Sequence, residues 1–297
     1  MPPLYENTPQ ELAPAHSIAR FPINTFLESI AIDDRGTLFI TSHDDGKIIR
    51  LYPDGRQSIH AEIKGRIAGL AWGDRDTLLV TGWNETGIPH ILQVSPRGNV
   101  EVLATLPEAM FLNGLTKLTG DRYLIADSYR GAIWEFDARR GEKKIWLEHP
   151  FLARSTAESI TPGVNGLKIF SGVLYASNSD KAHLVKIPLQ QDFSTGEPEI
   201  FIDKTVIDDF AFDREGNLYG ATHIFNSVVR ISPEGAISTI ATAEQGVTGS
   251  TAIAFGRLES DRTSIYIVTN GGMFLPPPTG IVPAEVVRLD VGIQGDF

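Results

Sequence analysis

ESIAIDDRGTLFITSHDDGKIIRLYPDGRQSIHAEI, residues 28–63, holds four short apolar segments separated by polar breaks. The segments are strand-length and end in turn chemistry: Asp34-Arg35-Gly36 after the first and Asp54-Gly55 after the third. Gly supplies positive φ in tight hairpins and Asp bonds its own backbone, so these are hairpin signals with a mechanism. The pattern then repeats. AGLAWGDRDTLLVTG opens at Ala68, NGLTKLTGDRYLIADS at Asn113, NGLKIFSGVLYASN at Asn165, DDFAFDREGNLYGATH at Asp208 and TAIAFGRLESDRTSIYIVTN at Thr251. Successive openings lie 40 to 52 residues apart. That is the period of a four-stranded propeller blade, and no apolar run keeps a 3.6-residue period long enough to read as a long helix. The expectation is all-β: a six-bladed β-propeller formed by residues 1–297 as one domain.

Closure supports the count. The sixth unit ends with its third strand, AEVVRLDVG at 284–292, and lacks a fourth. HSIARFP at 16–22 resembles the fourth strands QSIHAEI and VEVLATL, so an N-terminal strand is expected to complete blade six and remove two exposed sheet edges. A β-sandwich of many short strands would not repeat in register.

Composition removes several classes of function. Acidic residues number 37 against 26 basic ones, a net charge of −11, which disfavours nucleic acid and anionic membranes as partners. There is no cysteine, which excludes disulfide scaffolds, thiolate catalysis and cysteine zinc sites. No basic segment followed by an apolar one opens the chain, and no apolar run approaches the ~18–20 residues of a membrane span. A cytoplasmic monomer acting on a small-molecule substrate is the expectation.

In a propeller the first strand of each blade lines the axis. The six opening positions are Glu28, Ala68, Asn113, Asn165, Asp208 and Thr251, of which four carry a carboxylate or an amide. Taken singly, Asn113-Gly114 and Asn165-Gly166 also read as turn dipeptides and Asp208-Asp209 as a solvated pair. Their shared step in the repeat argues instead for a hard-cation site of oxygen donors at Glu28, Asn113, Asn165 and Asp208. Ca2+ suits such a set, with Mg2+ or Mn2+ as substitutes. The second strands return to the same face, and end in Ser42-His43, Gly82-Trp83, Asp127-Ser128, Asn178-Ser179, Thr222-His223 and Thr269-Asn270. His43 and His223 are candidate acid/base or substrate-orienting groups, or hydrogen-bonded struts. Trp83 and Tyr129 read as pocket walls, and Asp127, Asn178 and Asn270 as polar pocket residues.

Glu28, Asn113-Gly114-Leu115, Asn165-Gly166-Leu167 and Asp208 on six blades resemble the regucalcin/gluconolactonase family and, more distantly, diisopropyl fluorophosphatase and the paraoxonases. The resemblance runs from about Phe26 to Val291. It implies that Glu28, Asn113, Asn165 and Asp208 hold one catalytic divalent cation, with Asp208 as general base or nucleophile. It further implies hydrolysis of a lactone or related ester, with organophosphate hydrolysis as a side activity.

Two departures qualify this. Sugar-lactonase members carry an arginine two positions before the first Asn-Gly, where this chain has Phe111 within Ala109-Met110-Phe111-Leu112. An apolar wall gains little from a polyol, so a more hydrophobic lactone or ester is expected. The aspartate expected three residues after Asp208 for a second calcium is Ala211. Residues 271–283, with Pro276-Pro277-Pro278, form an insertion in blade six that reads as a wall, a partial lid or a plain connection. Two other readings keep the fold: a non-hydrolytic propeller enzyme performing condensation, dehydration or cycloaddition, and a non-enzymatic binding propeller.

Overall fold

The computed structural model describes residues 4–296. Strand β1 (Ala15–Arg20) is followed by blade one, with β2 (Leu27–Ile32), β3 (Leu38–Ser42), β4 (Lys47–Leu51) and β5 (Gln57–Glu62). Blade two comprises β6 (Arg66–Trp72), β7 (Leu78–Trp83), β8 (Pro89–Val94) and β9 (Val100–Thr105). Blade three has β10 (Leu112–Thr119), β11 (Arg122–Asp127), β12 (Ala132–Asp137) and β13 (Lys143–Glu148). Blade four has β14 (Val164–Phe170), β15 (Val173–Asn178), β16 (His183–Pro188) and β17 (Glu199–Asp203). Blade five has β18 (Phe210–Phe212), β19 (Leu218–Ala221), β20 (Ser227–Ile231) and β21 (Ile237–Thr242). Blade six has β22 (Ser250–Phe255), β23 (Ser264–Thr269) and β24 (Glu285–Asp290).

Each blade is a four-stranded antiparallel sheet, and the sixth runs β1-β24-β23-β22. The fold is therefore an all-β six-bladed propeller, closed as expected by an N-terminal strand: His16 pairs with Arg288 and Arg20 with Glu285. The helical content of the described residues is two three-residue 3-10 turns, Asp74–Asp76 and Ala243–Gln245, and no helix is long and apolar enough to cross a membrane.

Strand composition follows position in the blade. Interior strands such as β3 (LFITS) and β12 (AIWEFD) are buried on both faces over most of their length and read as near-continuous apolar runs. Outer strands such as β9 (VEVLAT) and β13 (KKIWLE) are largely exposed and carry Lys and Glu, which blunt an edge against unwanted pairing. Hairpins are fastened by Asp side chains. Asp33 Oδ1 accepts the Arg35 and Thr37 N–H groups, and Asp213 does the same for Glu215 and Asn217 while its Oδ2 accepts the Tyr219 hydroxyl.

The chain clusters into two compact units. Of the described residues, the first comprises 4–44, 48–59 and 208–296, and the second 45–47 and 60–207. In the first, one cluster gathers Leu27, Ile30, Ile40 and Leu51 with Tyr266, Val268 and Val286, and another gathers Tyr219, Val228, Ile253, Ile267 and Leu289. In the second unit, Leu79, Ile91, Tyr123, Ile125 and Phe136 form one cluster, and Leu124, Ile133, Leu167, Leu174 and Val185 form another. Each fully buried side chain of this size contributes about 1.5–3 kcal/mol of transfer free energy.

Candidate active site

The register between first and second strands explains why the opening residues are special. The pairing of β2 with β3 slips between Leu27 and Ser29, at Glu28. Equivalent slips occur at Ala68-Gly69, Asn113-Gly114, Asn165-Gly166 and Thr251. A bulge re-aims the side chain it carries, so five openings share one local device. Asp208 differs: it lies two residues before β18 and is held by its own N–H to Ala221 O at 2.8 Å.

Glycine after the opening residue has a steric reason in blades two and three. A Cβ on Gly69 would stand 2.4 Å from Asn113 O, and one on Gly114 would stand 2.5 Å from Asn165 O. Both Asn-Gly pairs lie on strands, so they serve close approach of backbones and not turns. Buried hydroxyls complete the seam, with Thr81 Oγ1 donating to Asn113 O at 2.6 Å and Ser128 Oγ to Val164 O at 2.6 Å.

Within the first unit, Glu28, Asp208, His223, Asn270, Phe26, His43 and Phe274 come together. Glu28 Oε2 is out of solvent contact and has no hydrogen-bond partner. Burial, then the nearby charges of Asp208, Asp209 and Asp44, push the Glu28 carboxyl well above the usual carboxylate range. Asp208 Oδ2 stands 3.2 Å from His223 Nδ1, and Asn270 Nδ2 stands 2.8 Å from His223 Nε2. Burial lowers the His223 imidazole to about 4, so the ring is neutral at pH 7. Two rings flank it: Phe26 lies 6.3 Å and Phe274 5.3 Å from the His223 ring, edge-on in the second case, and Phe26 also packs 4.9 Å from His43. His43 is buried, its N–H donating to Phe26 O at 2.8 Å.

Within the second unit, Phe111 stands edge-on to Trp83 at 5.0 Å and to Tyr129 at 5.2 Å, which makes a continuous aromatic wall. Arg154 lies over the Tyr129 ring at 4.4 Å, and the Tyr129 hydroxyl donates to Ile160 O at 3.1 Å. Asp127 is fully buried and spends its carboxylate on the Met110 and Phe111 N–H groups and on Trp134 Nε1. Asn178 donates to Phe151 O and Ala153 O and accepts from the Lys181 N–H. Asp127 and Asn178 thus fasten loops: the first positions Phe111, the second the connection bearing Arg154. Asn165 Nδ2 donates to Ser179 Oγ at 3.1 Å, and Asn113 is buried.

Sequence reading missed Phe26, Phe274 and Arg154. Phe274 had a signal, since an aromatic set between Gly271-Gly272 and three prolines is held out by a stiff segment and is 60% exposed.

The first unit's donors fit a hard cation. Glu28 offers a buried, unpartnered oxygen beside the Asp208 carboxylate, which is the chemistry a divalent ion neutralises. Among the described residues no three His, Asp or Glu side chains converge closely enough to hold an ion by themselves, so amide, backbone or water oxygens would complete its shell.

Six four-stranded blades closed by the N-terminal strand define a six-bladed propeller with the fold of the regucalcin and gluconolactonase structures. The solved structures agree. The chain is similar to the calcium-binding protein regucalcin from Agrobacterium tumefaciens, with a TM-score of 0.74 and 16% identity over 98% of this chain and 97% of that one. It is also similar to a gluconolactonase from Xanthomonas campestris, with a TM-score of 0.70 and 13% identity over 93% and 89% of the two chains. By sequence it is 24% identical to a proposed hetero-Diels-Alderase from a Phoma species, over 86% of this chain and 87% of that protein. No family profile matches the chain.

Proposed function

We propose that this chain is an enzyme for a largely apolar small molecule and that its reaction is non-hydrolytic, a cycloaddition of the hetero-Diels–Alder kind. The observation that carries the reading is Phe111, edge-on between Trp83 and Tyr129 where a polyol-binding site needs a charged donor. The similarity to the Phoma protein along most of both chains supports the reaction class. A hetero-Diels–Alder step forms two σ bonds from π electrons and neither consumes water nor loses an atom. It asks for two things, a surface that holds π systems in contact and a hydrogen-bond donor at the heteroatom. Phe26 and Phe274, whose rings meet in the same unit as Glu28, offer the first. The Glu28 carboxyl, pushed well above the usual carboxylate range chiefly by burial, is the candidate for the second.

A second reading is favoured by the orphaned Glu28 Oε2 beside Asp208: metal-dependent hydrolysis of a hydrophobic lactone or ester. A divalent cation held there would polarise the ester carbonyl.

The test is a substrate panel pairing a conjugated enone and an alkene with apolar and sugar lactones, run on the wild type and Phe111→Arg. The wild type should convert the enone–alkene pair. Phe111→Arg should lower that conversion by about 10–200-fold, the range for loss of an apolar pocket contact, at an unchanged melting temperature. A wild type that turns over sugar lactones in preference, or a variant that loses nothing, contradicts the proposal.

A further inference from the structure

The imidazole of His223 is fixed from both sides, and the donor pattern determines which way. Asn270 is fully buried, and its Oδ1 accepts the Gly272 N–H at 2.9 Å and the Met273 N–H at 3.2 Å. Those two bonds assign the amide oxygen and leave Nδ2 facing His223 Nε2 at 2.8 Å. An amide nitrogen only donates, so Nε2 must accept and carry no proton. The ring proton is then on Nδ1, 3.2 Å from Asp208 Oδ2, which accepts it. The backbone locks the same three residues. His223 sits at φ 50 with its N–H donated to Ser250 O, Asp208 N–H bonds Ala221 O, and Asn270 N–H bonds Gly249 O. Gly249, at φ +66, leaves room for the Asn270 side chain, since a Cβ there would lie 2.0 Å from Asn270 Oδ1.

We infer that Asn270 and His223 are positioning residues, a one-way hydrogen-bond relay from the Gly272–Met273 turn that sets the orientation of the Asp208 carboxylate. Neither ring nitrogen is spare for proton transfer, so His223 acts through Asp208. A fully satisfied buried polar network rigidifies the groups that it joins. The inference rests on the reading of Asp208 as a working carboxylate of the site. It also ties the blade-six insertion to that carboxylate, because the turn that begins the insertion sets the Asn270 amide.

The experiment is imidazole 15N NMR of the full chain, with the His223 signals assigned by loss in His223→Gln and the Asp208 carboxylate followed by side-chain 13C. The wild type should show a pyrrole-type Nδ1 and a pyridine-type Nε2. Asn270→Asp keeps an oxygen for the Gly272 and Met273 N–H groups but presents an acceptor to Nε2. It should therefore bring a proton onto Nε2, turning that nitrogen's signal to the pyrrole type, and displace the Asp208 carboxylate resonance with it. A wild-type ring protonated on Nε2 overturns the relay, and so does an Asn270→Asp spectrum with the ring or Asp208 signal unmoved. Should Asn270→Asp fail to fold, the wild-type tautomer decides. No substrate enters the measurement, so failure of the cycloaddition reading would not alter these spectra.

Discussion

Glu28 and His223 depart from their ordinary ionisation in opposite directions, and each departure has a consequence for stability that can be read separately. Glu28 has its folded-state pKa raised, so the folded chain binds more protons than the unfolded one above pH 4.5, and stability falls as pH rises through that window. His223 has its pKa lowered from 6.5 to about 4, so stability is full above 6.5 and is lost as pH falls towards 4. Denaturant titrations across pH should therefore show Glu28→Gln gaining on the wild type as pH rises. His223→Gln should show a dependence between pH 6.5 and 4 shallower by roughly 3 kcal/mol, the linkage value of such a shift. Parallel pH curves for the wild type and either variant would contradict the assignment. The openings Glu28, Asn113 and Asn165 were legible in the sequence because a repeat places equivalent residues at equivalent steps, whereas Asp208, aligned with them by the same repeat, lies before its strand. The roles of Asp127, Asn178 and Asn270 were not. All three read alike as polar strand ends, and only the loops that fold back on them reveal that they hold backbone N–H and C=O groups.

At the scale of strands, the repeat also exposed the blade boundaries and the N-terminal closing strand, because the missing fourth strand of blade six and the N-terminal segment 16–22 match by pattern. The expected segment 16–22 and the observed β1, Ala15–Arg20, differ only at their ends. The bulges were not foreseen, since an extra residue in a ladder leaves no mark on hydrophobic alternation of so short a strand. They account for the asparagine–glycine pairs, which sequence alone could read as turns. Gly114 has no positive φ, so its replacement is purely a matter of space. Gly114→Ala would put a Cβ 2.5 Å from Asn165 O, a contact that must force β10 and β14 apart. The expected loss is about 1–3 kcal/mol, the ordinary range for an overpacked core, read as a lowered urea midpoint at constant m-value. Gly120, which a Cβ would leave without neighbours within 4 Å, sits at φ +52 and provides the comparison for backbone strain alone. Equal midpoints for Gly114→Ala and the wild type would show that the seam has slack.

For the whole molecule, the fold was legible and the reaction was not, for a physical reason. Period, strand length and closure determine a propeller, whereas the chemistry depends on a few side chains that the same scaffold carries with different outcomes. Phe111 turned the expectation from polyols towards apolar substrates. The aromatic wall it forms with Trp83 and Tyr129, and the rings of Phe26 and Phe274 about His223, extend that expectation across the described side chains. Hydrolysis and cycloaddition make different demands on the solvent, and this separates them without knowledge of the natural substrate. The most direct measurement is the mass of the products formed in H2 18O from the active members of the substrate panel. The expected products have a mass equal to the sum of the reacting partners, or to that of the precursor itself, with no 18O gained. Incorporation of one 18O per turnover, abolished by a chelator and restored by calcium, would contradict it and establish the hydrolytic reading in its place.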